Sequence, residues 1–288
     1  MLRSYKKSNL FLLSRCGLCV LALLTIIPLV LTIIYSFSSP AEIKTFMETR
    51  GSYDEHAYME IKLAPQTFSL LQYYIILIED MTILHYYINS CVYTMAILVL
   101  QAIVVPMLAY ALSLFRFKGR DALFFIIVIL MVLPFQVTMV PNVLTLREMG
   151  LLDTFWSVVL PMVAGPFYVF LLRQYMVSLP LDMIEAAQID GAGTIRCYFH
   201  IILPLCRPML GAAIALSFAD SWNMVEQPIT FLTTRTDLYP LSVVFNQLSN
   251  ETSGVEFAGA TLYTLPALFV YLIYRNDILV GIQLTELK

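Results

Sequence analysis

Five stretches without a single Asp, Glu, Lys or Arg decide what this chain can fold into. They run from Gly17 to Phe37, Cys91 to Phe115, Ala122 to Leu146, Thr154 to Leu172 and Phe257 to Tyr274, and are 21, 25, 25, 19 and 18 residues long. A helix of about 20 apolar residues crosses the hydrocarbon of a bilayer. Without water there, only helices and closed barrels satisfy the backbone's own polar groups. A further span, from about Pro208 to about Gln227, is weaker because Asp220 and Glu226 lie within it. Charged residues make up 13% of the chain, against roughly 25% in soluble domains. The fold expected is therefore all-α, a polytopic membrane protein with six transmembrane helices.

These spans set a single-domain organisation over residues 1–288. The N-terminus and first helix occupy 1–37, an extracytoplasmic loop 38–87, and helices two to six 88–276, with a polar loop at 178–208 and a tail at 277–288. Arg3, Lys6 and Lys7 ahead of an apolar run imitate a signal peptide. The run is too long for one and has no A-x-A cleavage site, so it reads as a retained first helix. Cytoplasmic loops accumulate Lys and Arg. With the N-terminus inside, the inner side takes twelve of the 17 Lys and Arg, which predicts a plasma-membrane protein with both termini cytoplasmic. The polar 185–207 stretch then faces the cytoplasm. In the outer loop, QTFSLLQYYIILIEDMTILHYY reads as one or two interfacial helices, with His56 and His85 exposed or at the interface.

The chain offers little chemistry of its own. It has no G-x-x-x-x-G-K-[ST], G-x-S-x-G or H-E-x-x-H, so no phosphate cradle, nucleophile elbow or zinc helix is expected. Its three histidines divide between the two sides of the membrane, which disfavours a triad. Five cysteines, an odd number, describe no disulfide framework. Cys197, His200 and Cys206 lack a fourth ligand and read as packing residues, and Cys16 and Cys19 read as small apolar helix residues. A net charge of −3 without a basic run excludes nucleic-acid binding. No catalytic, metal or cofactor residue is expected, and partners are to be sought in or beside the membrane lipid. A membrane-embedded enzyme or a sensor remain the alternatives, each without a visible site.

One polar interruption stands out, EAAQIDGAGTIRCYFHIILPLCRP, from Glu185 to Pro208. Ser178 or Asp182 can cap a short helix from Leu181 to Ile189, and Asp182 with Glu185 has the spacing of a capping box. Its alanines leave little bulk, so another protein surface can approach the backbone. Asp190 and Gly191 supply a turn, because glycine takes positive φ without penalty. A second helix starts near Thr194 and runs through Tyr198 and Ile202, and Pro204 and Pro208 then bend the path. The pattern is an elbow leading into a spanning helix.

This stretch resembles the "EAA" loop of ABC-importer permease subunits: Glu-Ala-Ala, three residues, Gly, then a hydrophobic-x-Leu-Pro near the end. Glu185, Ala186, Ala187, Gly191, Ile202, Leu203 and Pro204 match. YYINSCVYT (Tyr86 to Thr94), LAYALSLFRFKGRDALF (Leu108 to Phe124), MVLPFQVTMVPNVLTLREMGLLDTFWSVVLP (Met131 to Pro161) and SWNMVEQP (Ser221 to Pro228) are similar, in that order, to the second, maltose-type permease of carbohydrate importers. The likeness covers roughly Lys62 to the C-terminus. Met224 stands where an acidic residue would be expected, and Ser38 to Ile61 fall outside.

The resemblance implies a type I importer fold whose elbow rests in a groove of a cytoplasmic ATPase. Glu185, Ala186, Ala187, Asp190, Gly191, Ile202, Leu203 and Pro204 would then form the ATPase-coupling element. It further implies a heterodimer with a second permease subunit, an ABC ATPase dimer that binds the ATP and Mg, and an extracytoplasmic solute-binding protein delivering a carbohydrate. Polar residues are costly in hydrocarbon, so Asp220, Trp222 and Asn223, with Gln136, Asn89 and Ser90, are candidates for the translocation pathway. Helix–helix hydrogen bonding is the competing reading of the same residues.

Overall fold

The computed structural model describes residues 2–51, 64–79, 81–180, 182–245 and 255–286. Among them the only β pairing is an isolated bridge between Ser38 and Phe68; the chain is otherwise helical and irregular. The elements are α1 (Leu2–Ser36), α2 (Pro40–Gly51), α3 (Leu71–Tyr74, continued by a π turn, Ile75–Glu79), α4 (Met81–Leu114), α5 (Arg120–Val132), α6 (Phe135–Glu148), α7 (Phe155–Val163) and α8 (Pro166–Val177). They are followed by α9 (Asp182–Ile189), α10 (Thr194–Cys197, continued by a π turn, Tyr198–Ile202), α11 (Leu203–Leu205), α12 (Arg207–Trp222), α13 (Glu226–Phe231) and α14 (Glu256–Glu286). Leu181 and His56 lie outside the described residues. Among the described residues four helices are long and apolar enough to cross a bilayer, and two bent pairs bring the number to six if each pair is one span.

Both bends have a proline behind them. The run Ala122 to Leu146 is not one continuous helix: α5 and α6 meet at 112°. Leu133 is extended (φ −68°, ψ 127°) and Pro134 caps α6. A residue before proline is pushed out of the helical region, so the break falls where the chain must make it. The second bend, 73°, separates Thr194–Leu205 from α12, with Pro204 and Pro208 on either side of it and a π turn upstream. The span expected to end near Gln227 stops at Trp222, and Glu226 opens a separate short helix. The second spanning helix starts at Met81, earlier than the outer-loop reading placed it. The last helix continues beyond residue 276 to Glu286.

The described chain divides into two compact units. One is drawn from Met1–Leu84 and Gln247–Leu265. In it residues 15–30 of α1 are exposed apolar surface suited to lipid. The polar end of α1 is tied down by Gln72, which is fully buried. Its Nε2 donates to the carbonyls of Tyr35 and Ser38, both at 2.8 Å, and its Oε1 accepts from the Ala258 N–H at 3.3 Å. Tyr35 meets Phe257 edge to face. Ser39 then caps α2 through the Glu42 N–H.

The other unit is drawn from His85–Asn246 and Pro266–Lys288. Its principal core joins α4, α8, α9 and the α10–α12 segment through Val105, Leu172, Met176, Ile184, Tyr198, Ile202 and Met209. A second cluster gathers Tyr93, Ile97, Val158, Val159, Met224 and Leu232. Met224 is thus an apolar core residue. An acidic side chain there would be buried without a partner, at a cost of several kcal/mol. Where α14 crosses α12, a Cβ on Gly211 would come within 2.9 Å of the Asp277 Cβ, so only glycine allows the approach.

Candidate functional site

The elbow is α9, a turn, and the α10–α11 segment. Ser178 does not cap α9. It closes α8, its hydroxyl donating to the Tyr175 carbonyl at 2.7 Å. Asp182 lies inside the first turn of α9 together with Glu185, where carboxylates favour the helix dipole. The other end is a Schellman motif: the Ala192 N–H reaches the Ala187 carbonyl at 2.9 Å and the Gly191 N–H reaches Gln188 at 3.0 Å. Gly191 has φ +85° with open space around it, so its backbone conformation, not crowding, requires glycine there.

One residue keys α9 into the protein. Ile184 is 7% exposed and sits in the principal core. Glu185, Ala186 and Asp190 are exposed and Ala187 is half-buried. The second arm is held more firmly. The Tyr110 hydroxyl donates to the Thr194 carbonyl and the Tyr175 hydroxyl to the Leu205 carbonyl, each at 3.2 Å. Tyr110 also packs on the Tyr198 ring at 5.1 Å between centroids. Ile202 is fully buried, Leu203 half-buried and Pro204 exposed. Outward, the elbow shows Met183, Phe199, Ile189 (87% exposed) and Ile195 (74% exposed).

A polar layer lies between α4, α8 and α12, and most of it is invisible to sequence spacing. α7 and α8 are separated at Gly165 (φ +39°), where a Cβ would meet the Tyr168 ring at 2.6 Å. Pro166 has no N–H to offer the Met162 carbonyl four residues back. Gln101 supplies it, its Nε2 donating at 2.6 Å, while its Oε1 accepts from the Ser217 hydroxyl. Tyr168 donates its hydroxyl to the Asp220 carboxylate. Gln101, Tyr168 and Ser217 are buried, and none of the three stood among the expected site residues. The available signal was a lone Gln in an apolar helix and a Gly-Pro pair in mid-span.

The six expected pathway residues separate. Asp220 and Asn223 are exposed on one face of α12, beside Leu216 and Ala219. Asn223 donates to the Ala219 carbonyl at 2.9 Å. Gln136, exposed just past the α5–α6 break, donates to Glu226 at 2.7 Å. Trp222 is buried, stacked on Phe218 at 5.4 Å and edge-on to Tyr87. Asn89 and Ser90 bond the 237–241 segment: Asn89 donates to the Asp237 and Tyr239 carbonyls, and Ser90 Oγ accepts from the Leu241 N–H at 2.8 Å.

The neighbouring residues 233–237 carry a polar clasp. Asp153, in the left-handed region at φ +58°, accepts from the Thr234 N–H at 2.8 Å. The Thr234 backbone hydrogen bond holds its carboxyl below the usual carboxylate range. Arg235 pairs with Asp237 at 2.8 Å and lowers that carboxyl likewise. His85 Nε2 lies 2.8 Å from the Asp237 carbonyl. Of the expected packing residues Cys197 and Cys206 are buried, whereas His200 is exposed, its Nδ1 3.2 Å from the Arg196 carbonyl. Among the described residues no three His, Cys, Asp or Glu side chains gather to hold a metal ion.

Comparisons with known proteins give this geometry its context. The chain is 28% identical over 227 residues to an arabinooligosaccharides transport system permease protein of Halalkalibacterium halodurans, covering 78% of this chain and 81% of that one. It is 32% identical over 206 residues to a diacetylchitobiose uptake system permease protein of Streptomyces coelicolor, covering 69% and 68%. It superposes, with a TM-score of 0.75 and 25% identity over 92% of this chain and 94% of the other, on a solved chain from a bacterial ABC transporter involved in the import of the acidic polysaccharide alginate. These are transport permeases, not enzymes. Residues 102–276 match the binding-protein-dependent transport system inner membrane component, and the chain belongs to that family as a multi-pass permease subunit of an ABC importer.

Proposed function

We propose that this permease forms one half of a carbohydrate-translocating pore and receives ATP-driven motion through the 178–208 elbow. The observation that carries this reading is the elbow's construction. Its outer surface is apolar and exposed, while its base is locked to α4, α8 and α12 by Ile184, Ile202, Tyr198 and two tyrosine hydroxyls. A displacement of α9 is therefore passed to the spanning helices as rigid-body motion, because close-packed interiors transmit strain.

In this reading a cytoplasmic ATPase dimer seats on the elbow and binds the ATP and Mg. Ala186 and Ala187 allow close approach, Glu185 and Asp190 supply polar contact, Gly191 fixes the turn, and Ile202, Leu203 and Pro204 set the bend. The predominance of Lys and Arg on the elbow's side supports a cytoplasmic elbow and cytoplasmic termini. A second permease completes the pore and a solute-binding protein delivers the substrate. The arabinooligosaccharide and diacetylchitobiose relatives support a sugar as that substrate. The exposed polar face of α12, with Asp220, Asn223 and the Gln136–Glu226 pair, supplies this chain's share of the pathway, since Asp220 in a spanning helix is costly against lipid.

Gly191→Pro tests the coupling role, because proline's φ near −65° is incompatible with +85°. Uptake by the reconstituted complex is expected to fall at least about tenfold while the chain remains inserted and ATP is still hydrolysed. Normal uptake would remove the elbow from the mechanism.

A further inference from the structure

Asp220 is built as more than a helix–helix contact. It lies thirteen residues beyond Arg207, the start of α12, or roughly 20 Å along the axis at 1.5 Å per residue. That places it near the far end of α12, two residues before Trp222 closes the helix. One carboxylate oxygen, Oδ2, accepts the Tyr168 hydroxyl. Among the described residues Oδ1 has no hydrogen-bond partner, and the residue as a whole is exposed on the open face of α12. A neutral acceptor would satisfy the Tyr168 hydroxyl equally well, so the charge and the second acceptor are surplus to packing.

The surroundings say what that surplus fits. Tyr168 is buried and held by the left-handed Gly165, so the hydroxyl fixing Asp220 does not wander. The flanking exposed positions are Leu216, Ala219 and Asn223, small or uncharged. Farther along, Glu226 adds a second carboxylate bonded only to the Gln136 amide. The ion pairs among the described residues are Arg120–Asp121 and Arg235–Asp237, and neither includes Asp220 or Glu226. The face therefore presents acceptors and negative charge without an ion-pair partner among the described residues. Hydroxyl donors bond to such a face, while a phosphate or a uronate is repelled by it.

Resting on the reading of this chain as a pore-forming permease, we propose that Asp220, positioned by Tyr168, meets the translocated solute and selects neutral polyhydroxy compounds over anionic ones. Tyr168 is a positioning residue: it touches Asp220 and not the solute.

The test uses the whole importer in nanodiscs, without its binding protein, and equilibrium dialysis with labelled arabinotriose, diacetylchitobiose, glycerol 3-phosphate and an alginate trisaccharide. A neutral sugar is expected to bind at least about tenfold more tightly than either anion, the size of one charged hydrogen bond. Asp220→Asn narrows that ratio to less than about threefold. Asp220→Glu retains the preference, and Tyr168→Phe weakens neutral binding while keeping the charge selection. An unchanged ratio in Asp220→Asn overturns the proposal, as does preferred binding of an anion, or no binding of any probe to a preparation that takes up sugar. Each of those results leaves the permease reading standing. That reading fails separately, if the same complex with its binding protein shows no ATP-dependent uptake of any solute.

Discussion

The two ends of α12 are held by opposite kinds of force. At the elbow end, Cys206 and Met209 enter an apolar cluster with Ile184, Ile202, Leu172 and Met176, to which the Tyr110 and Tyr175 hydroxyls add two hydrogen bonds to backbone carbonyls. At the far end, Ser217 donates to Gln101, Asp220 accepts from Tyr168, and Ser221 bonds the Ser217 carbonyl at 2.7 Å. Apolar packing is non-directional, tolerates motion of the whole block and suits a lever. A hydrogen-bonded layer has discrete geometry and fixes where a few polar groups face, as a selective pathway requires. In the proposed reading one helix would carry motion at one end and position polar groups at the other.

The largest expected effect breaks the apolar end. Ile184→Asp places an unpaired charge in the core, and about 3–5 kcal/mol of stability is expected to be lost, read as loss of the assembled complex on gel filtration. Ile189→Asp is the sharp control. That residue is 87% exposed, so the chain assembles and only capture of the ATPase suffers. Equal damage from both substitutions would mean that the elbow is not keyed through Ile184.

An intermediate effect is expected at the polar end. Gln101→Leu leaves the Met162 carbonyl and the Ser217 hydroxyl without their partner and should cost about 1–3 kcal/mol. A fall of several degrees in the melting temperature of the detergent-solubilised complex checks it. A neutral outcome would show that the gap left by Pro166 is satisfied some other way and that the polar layer is dispensable.

The smallest effect concerns the polar clasp. The folded state holds the Asp153 carboxyl below its ordinary value, so its contribution is fully present above the unfolded carboxylate value of about 3.9. It is lost as pH falls through the lower folded value. Because Asp153 is solvent-accessible, Asp153→Asn should lower the melting temperature by only about 1–2 °C at neutral pH. The difference from wild type should shrink as the pH falls below the ordinary carboxylate value and vanish once the folded carboxyl is itself protonated. A difference that grows on acidification would exclude the clasp as its cause.

Spacing alone exposed the elbow, since Glu185, the two alanines, Gly191 and Pro204 are local features whose consequences follow within a few residues. The Gly191 turn and the bend beside Pro204 and Pro208 are short-range physics. Pro134 offered the same kind of signal within Ala122 to Leu146, but an unbroken apolar run hides a break that depends on one residue. The polar layer was harder to see. Gln101 and Tyr168 are lone polar residues in apolar helices, separated by 61 and 52 positions from the Met162 carbonyl and Asp220 that they bond. Trp222, a candidate for the pathway, is buried against Phe218 and Tyr87.

What the sequence determined by itself was the membrane, the helices and the place of the elbow, because hydrocarbon forces backbone groups to bond locally and prolines and glycines act on their immediate neighbours. Tertiary structure decided which polar groups are spent on one another and which stay open. Gln101 answers a carbonyl freed by Pro166, Tyr168 fixes Asp220, and Gln136 reaches Glu226. Those choices depend on how distant helices face each other, and a hydrogen bond across that distance leaves no trace in residue spacing.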